Sequence, residues 1–101
     1  MNVPNEDQRL AAMRATDVTL YTRPGCHLCD QAKAAIMPLL EEFGAALREV
    51  NIDEDRELAA RYGWDIPVLF IGRHKAAKHR VNLEQFRRQL QEAREQEKSS
   101  T

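Results

Sequence analysis

Two sulfur atoms dominate the chemistry available to this chain. Cys26 and Cys29 are its only cysteines, and they stand as Cys26-His27-Leu28-Cys29 just after a β-branched, aromatic stretch and at the start of a helical pattern. A helix start exposes unpaired backbone N–H groups and the positive end of the helix dipole. A thiolate placed there is stabilised, and its pKa falls from about 8.5 into the range of reactive cysteines. Arg23, and His27 when protonated, add positive potential beside Cys26, whereas Asp30 discourages a second thiolate at Cys29. The pair therefore divides into a nucleophile, Cys26, and a protonated resolving partner, Cys29. Residues three apart on a helix have Cβ atoms about 5–6 Å apart. A relaxed disulfide needs about 3.5–4.5 Å, so the backbone at Cys26, on the helix edge, must adjust to close the ring.

Other uses of two close cysteines are less well served. Haem attachment needs a histidine directly after the second cysteine, where this chain has Asp30. A structural zinc site needs a second ligand pair, and His74 and His79 lie in a basic segment without a further cysteine. No metal ligand set is assigned. Two cysteines are also too few for a secreted disulfide scaffold. The N-terminus shows no charged region followed by an apolar one, so a cytoplasmic protein is expected.

The elements that must position the pair alternate. Val18–Thr22 reads as a strand, Arg23–Gly25 as a break, and Cys26–Phe43 as a helix with Leu28, Ala32, Ala35, Ile36, Leu39, Leu40 and Phe43 on one face. Pro38 falls inside that pattern and predicts a kink or a division into two pieces. Gly44 stops the helix. Leu47–Ile52 alternates as a strand, Asp53–Gly63 reads as a short acidic-started helix, and Pro67–Ile71 is an apolar run suited to a central strand. A returning strand is placed near Lys78–Val81, and Asn82 caps a last helix from Leu83 to about Ala93. The order is βαβαββα, an α/β three-layer sandwich in which the first two helices cover one face and the last covers the other. Residues 1–16 form an N-terminal extension, with Leu10, Ala11, Met13 and Arg14 able to make a short helix; residues 17–93 form the domain, and 94–101 a flexible tail.

These motifs carry a resemblance. TRPGCHLCDQAK followed by WDIPVLFIG, set in the βαβαββα order over residues 17–93, resembles the glutaredoxin-like branch of the thioredoxin superfamily. The resemblance implies a thioredoxin-like fold with a four-stranded mixed sheet whose last two strands run antiparallel to the first. It implies thiol–disulfide oxidoreductase activity, with Cys26 as nucleophile and Cys29 as resolving thiol. It further implies a cis peptide bond before Pro67, and a substrate paired in extended fashion to the backbone of Ile66. Arg23 and His27 complete the expected substrate-binding set with Ile66 and Pro67. Where the family carries Pro-Tyr between its cysteines, this chain has His27 and Leu28, and it lacks the family's Gly-Gly pair before the last helix. Protein or low-molecular-weight disulfides are the expected substrates, with glutathione or a thioredoxin-type protein as reductant and no tightly bound cofactor. A binding module of the same fold, or an iron–sulfur or metal carrier using Cys26, is the alternative.

The rest of the composition sets bounds. Fifteen Lys and Arg balance sixteen Asp and Glu, giving a formal charge of −1 that does not suit a nucleic-acid coat. No apolar run reaches the roughly 18 residues of a membrane span. A monomer is expected. Arg73, His74, Lys75, Lys78, His79 and Arg80 form a basic cluster that reads as a solvated hairpin kept from edge pairing by its charge, with a patch that attracts an anionic partner as the alternative. Trp64 is expected to pack half-buried beside Pro67, and Tyr21, Phe43 and Phe70 to lie in the core.

Overall fold

A computed structural model describes residues 14–99. Its elements are β1 (Val18–Thr22), α1 (His27–Phe43), β2 (Leu47–Asn51), a 3-10 turn (Ile52–Glu54), α2 (Arg56–Tyr62), β3 (Val68–Ile71), β4 (His74–Lys78) and α3 (Leu83–Ser99). The four strands form one mixed sheet in the order β2-β1-β3-β4, the thioredoxin-like sandwich expected from the motifs. β1 and β2 are parallel, whereas β3 is antiparallel to both β1 and β4. Only β3 therefore opposes β1; β4 reverses again and runs with it, which corrects the expectation for the last two strands.

Strand pleating sorts the side chains into two cores. Val18 and Leu20 of β1 and Leu69 and Ile71 of β3 face one way, against Ile36, Leu39, Leu40 and Phe43 of α1 and Phe86, Leu90 and Ala93 of α3. Tyr21, Val68 and Phe70 face the other way, against Ile52, Leu58, Tyr62 and Ile66. The layering is thus α1 and α3 together, with α2 alone opposite, rather than the first two helices sharing a face. Topology explains the difference. β2 is an edge strand and β3 lies beyond β1, so their connection must cross β1, and α1 already occupies one side of it.

Several boundaries shift for identifiable reasons. α1 runs uninterrupted through Pro38, so the expected division does not occur. Pro38 is exposed, while Ile36, Leu39, Leu40 and Phe43 on either side are buried. Their burial, about 1.5–3 kcal/mol for each side chain, outweighs the roughly 3 kcal/mol penalty of an interior proline. The single helix expected over 53–63 is a 3-10 turn followed by α2, because the Asp55 carboxylate accepts the backbone N–H groups of Glu57 and Leu58 (2.8 and 3.2 Å) and starts a new helix.

The hairpin after β3 is tighter than expected. Gly72 and Arg73 alone separate β3 from β4, which moves the last strand from Lys78–Val81 back to His74–Lys78. Gly72 has φ 58°, and a Cβ there would lie 2.9 Å from the Ala15 carbonyl oxygen, so only glycine fits this turn. α3 begins where Asn82 caps it, its side chain accepting the Gln85 N–H at 3.0 Å. It continues to Ser99, beyond the expected end near Ala93. Good helix formers fill that last stretch, and Arg94 packs over the Phe43 ring at 4.3 Å. Arg87 and Glu42 form a further ion pair between α3 and α1. At the other end, Thr16 is 1% exposed, so the core begins before Val18. The short helix expected at Leu10–Arg14 lies, apart from Arg14, outside the described residues.

Candidate active site

Sheet topology gathers the candidate residues at one end of the molecule. β1 and β2 finish there at Thr22 and Asn51, and β3 begins there. Val68 pairs with Tyr21, so Pro67 is level with Thr22, where the chain turns toward Cys26. Lys78 pairs with Val68 and brings the end of β4 to the same place.

The turn Arg23–Gly25 closes with the Cys26 N–H donating to the Arg23 carbonyl (3.3 Å), and Gly25 takes φ 81°. Cys26 is the N-cap of α1, in extended conformation, and its sulfur accepts the Cys29 N–H at 3.1 Å. The two cysteines form a disulfide with Cα atoms 5.2 Å apart, inside the usual span of about 4.4–6.8 Å. Cys26 is half-buried while Cys29 is 1% exposed. Of the two cysteines at the helix start, Cys26 is thus the more exposed. His27 is exposed at the first position of α1, and Leu28 beside it is 45% exposed.

Arg23 has an ion-pair partner that the sequence did not announce. Its Nε and Nη2 both donate to Asp53 Oδ1 (3.2 and 3.0 Å), so the Asp53 carboxylate offsets the charge expected to act on Cys26. Both partners are well exposed, and such a pair adds little stability.

Ile66–Pro67 is a cis peptide bond, and Pro67 is buried. The Ile66 N–H donates to the Tyr62 carbonyl at 3.0 Å, as does the Asp65 N–H at 2.8 Å. The Ile66 carbonyl has no partner among the described residues, so of the two backbone groups expected to meet a substrate, only the acceptor is open.

His79 belongs to this end although the sequence placed it only in a basic cluster. It is the one non-glycine residue with positive φ (65°) among the described residues. Its N–H donates to the carbonyls of both Pro67 (2.9 Å) and Asp65 (3.1 Å), and its Nε2 lies 3.7 Å from Asp65 Oδ1. Backbone and ring together clamp the loop that carries Pro67. No glycine at this position announced the left-handed conformation.

Two aromatic expectations change. Trp64 is 93% exposed instead of half-buried. Tyr21 and Phe70 are only partly buried and pack with Tyr62 on the α2 face, Tyr21 and Tyr62 stacking at 4.6 Å; Phe43 is buried as expected. The Lys75 ammonium lies 5.9 Å from the Tyr62 ring centroid. Among the described residues, no group of three or more His, Cys, Asp or Glu could hold a metal ion, and no helix is long and apolar enough to cross a membrane.

A four-stranded mixed sheet between helices, with a Cys-x-x-Cys disulfide at a helix start and a cis-proline at the same end of the sheet, defines a thioredoxin-like protein of the glutaredoxin kind. Residues 17–91 match the model of the Glutaredoxin-like domain (DUF836), and the chain belongs to that family. A Dictyostelium discoideum protein described as a glutaredoxin-like protein is 32% identical over 75 residues, covering 68% of this chain and 69% of that protein. An X-ray structure from X. campestris is 34% identical and has a TM-score of 0.60, covering 74% of this chain and 96% of that one. A solution NMR structure of a Nitrosomonas europaea protein is 26% identical with a TM-score of 0.62, covering 83% and 92%. A buckwheat glutaredoxin–glutathione complex shares the fold at 17% identity and a TM-score of 0.54, covering 89% and 96%.

Proposed function

We propose that this protein is a thiol–disulfide oxidoreductase whose redox centre is the Cys26–Cys29 pair. The observation that carries the reading is the disulfide at the start of α1, with Cys26 half-buried and Cys29 buried. In the reduced protein, the Cys26 thiolate keeps the Cys29 N–H and the N-terminal dipole of α1 as its stabilising partners. It attacks one sulfur of a substrate disulfide: the Cys26–substrate bond forms, the substrate S–S bond breaks, and the departing thiolate takes a proton from solvent. Cys29 then loses its proton and attacks Cys26. The Cys26–Cys29 bond forms as the mixed disulfide breaks, and the second substrate thiolate is released and protonated. Two electrons and two protons pass to the substrate.

Pro67 and the open Ile66 carbonyl position the substrate beside Cys26, with His27 next to the entering sulfur. The oxidised pair is returned to the dithiol by two thiols of glutathione or by a thioredoxin-type dithiol. No bound cofactor takes part. The protein acts as a monomer in the reducing cytoplasm, where such a pair spends most of its time reduced. Reacting Cys29→Ser with a disulfide substrate should trap a stable mixed disulfide at Cys26, read by mass spectrometry, while Cys26→Ser should exchange nothing. Exchange that persists in Cys26→Ser would contradict the assignment.

A further inference from the structure

Three large apolar side chains are exposed among the described residues, Leu28, Trp64 and Leu83, and the first two belong to the disulfide end. Leu28 lies between the cysteines. Trp64 lies in the loop joining α2 to Pro67, and the preceding Gly63 lies near the guanidinium of Arg23, a Cβ there falling 3.7 Å from Nη2.

The loop is held on both sides of the tryptophan. Gly63 N–H donates to the Ala59 carbonyl (2.9 Å), Asp65 and Ile66 N–H donate to Tyr62, and His79 N–H binds the Asp65 and Pro67 carbonyls. An indole on a fixed backbone, 93% exposed, is a preorganised apolar contact that loses little entropy on docking. Charge of both signs lies at this end, with exposed Asp30 beside Cys29 and a pair of cations flanking His79. His79 faces Asp65, but Lys78 and Arg80 on either side of it have no ion-pair partner among the described residues. Lys78 pairs with Val68, next to Pro67, so these cations border the same loop.

We propose that Trp64 and Leu28 form a docking rim for an extended segment of a protein disulfide. An apolar side chain beside the substrate half-cystine seats on Trp64, and acidic residues farther along meet Lys78 and Arg80. The Ile66 carbonyl, open while its N–H is engaged, accepts one N–H from that segment. Small hydrophilic disulfides can use none of this except the carbonyl, so the rim makes the enzyme prefer protein disulfides of apolar and acidic surroundings. The proposal rests on the dithiol exchange described above and concerns only which substrate it serves.

The test compares two disulfides, hydroxyethyl disulfide and a peptide disulfide with leucine next to the half-cystine and two glutamates beyond it. The ratio of kcat/KM for the peptide to that for the small disulfide should fall about 30-fold in Trp64→Ala, the size of an interface hot spot, mostly through KM. Trp64→Phe should retain most of the ratio. Replacing the peptide's glutamates by lysines should lower the wild-type ratio in a salt-dependent way. Trp64 is the only tryptophan, so its emission should shift to shorter wavelength when Cys29→Ser carries the peptide as a mixed disulfide. An unchanged ratio in Trp64→Ala, or unshifted emission in that complex, overturns the rim while small-disulfide exchange leaves the dithiol reading standing. A concentration-dependent emission shift of the free protein also overturns it, since a second copy would then cover Trp64. Inertness of the wild-type protein toward both disulfides overturns the dithiol reading itself.

Discussion

Cys26 and His79 illustrate what a residue type reveals about its own backbone. Two cysteines three apart at the end of a strand announce a helix start, and Cys26 does cap α1 with its sulfur on the Cys29 N–H. Histidine announces nothing of the kind. His79 takes a left-handed φ of 65° because two carbonyls of the Pro67 loop need its N–H, and those partners come from residues distant in the chain. Trp64 was hidden for a similar reason, since tryptophan is usually buried and only the path of its loop turns it outward. The left-handed backbone at position 79 has a measurable consequence. His79→Val should lower unfolding stability by about 1–2 kcal/mol, because a β-branched side chain is strained there. His79→Gly should not show that loss, and urea denaturation of both variants separates the two.

Helix α1 shows how far local rules reach at the scale of an element. Its apolar spacing was legible from Ala32 to Phe43, and so was its glycine stop, with Gly44 at φ 63°; Leu28, expected on the same face, is 45% exposed, and Cys29 takes the buried position instead. The expected break at Pro38 was a correct local argument overruled by packing, since buried residues on both sides keep the helix continuous. Pro38→Ala should therefore raise stability by about 1–2 kcal/mol, restoring a backbone donor without disturbing the core, with urea unfolding as the measurement. An unchanged or lower midpoint would mean that the proline fits this helix without penalty. β4 is the converse case. Its basic, exposed residues carry no strong strand pattern, and only the two-residue turn at Gly72 brings them into register with β3.

The whole molecule was legible in the order of its elements but not in their layering. Alternating strands and helices gave βαβαββα, yet which helices share a face depends on where β2 sits, and strand order is not written in hydrophobic periodicity. The same topology brings Cys26, Pro67, Lys78 and His79 to one end from separate parts of the chain. On the proposed function, that convergence sets the helix start that reacts and the loop that would meet a substrate side by side. The central claim concerns the sulfur at that start, and titrating the reduced protein by ultraviolet thiolate absorbance tests it most directly. The account predicts one thiolate, lost in Cys26→Ser, with a pKa below the roughly 8.5 of free cysteine, in the range of about 3.5–7.5. A reduced protein in which both thiols titrate at or above the free value would contradict it.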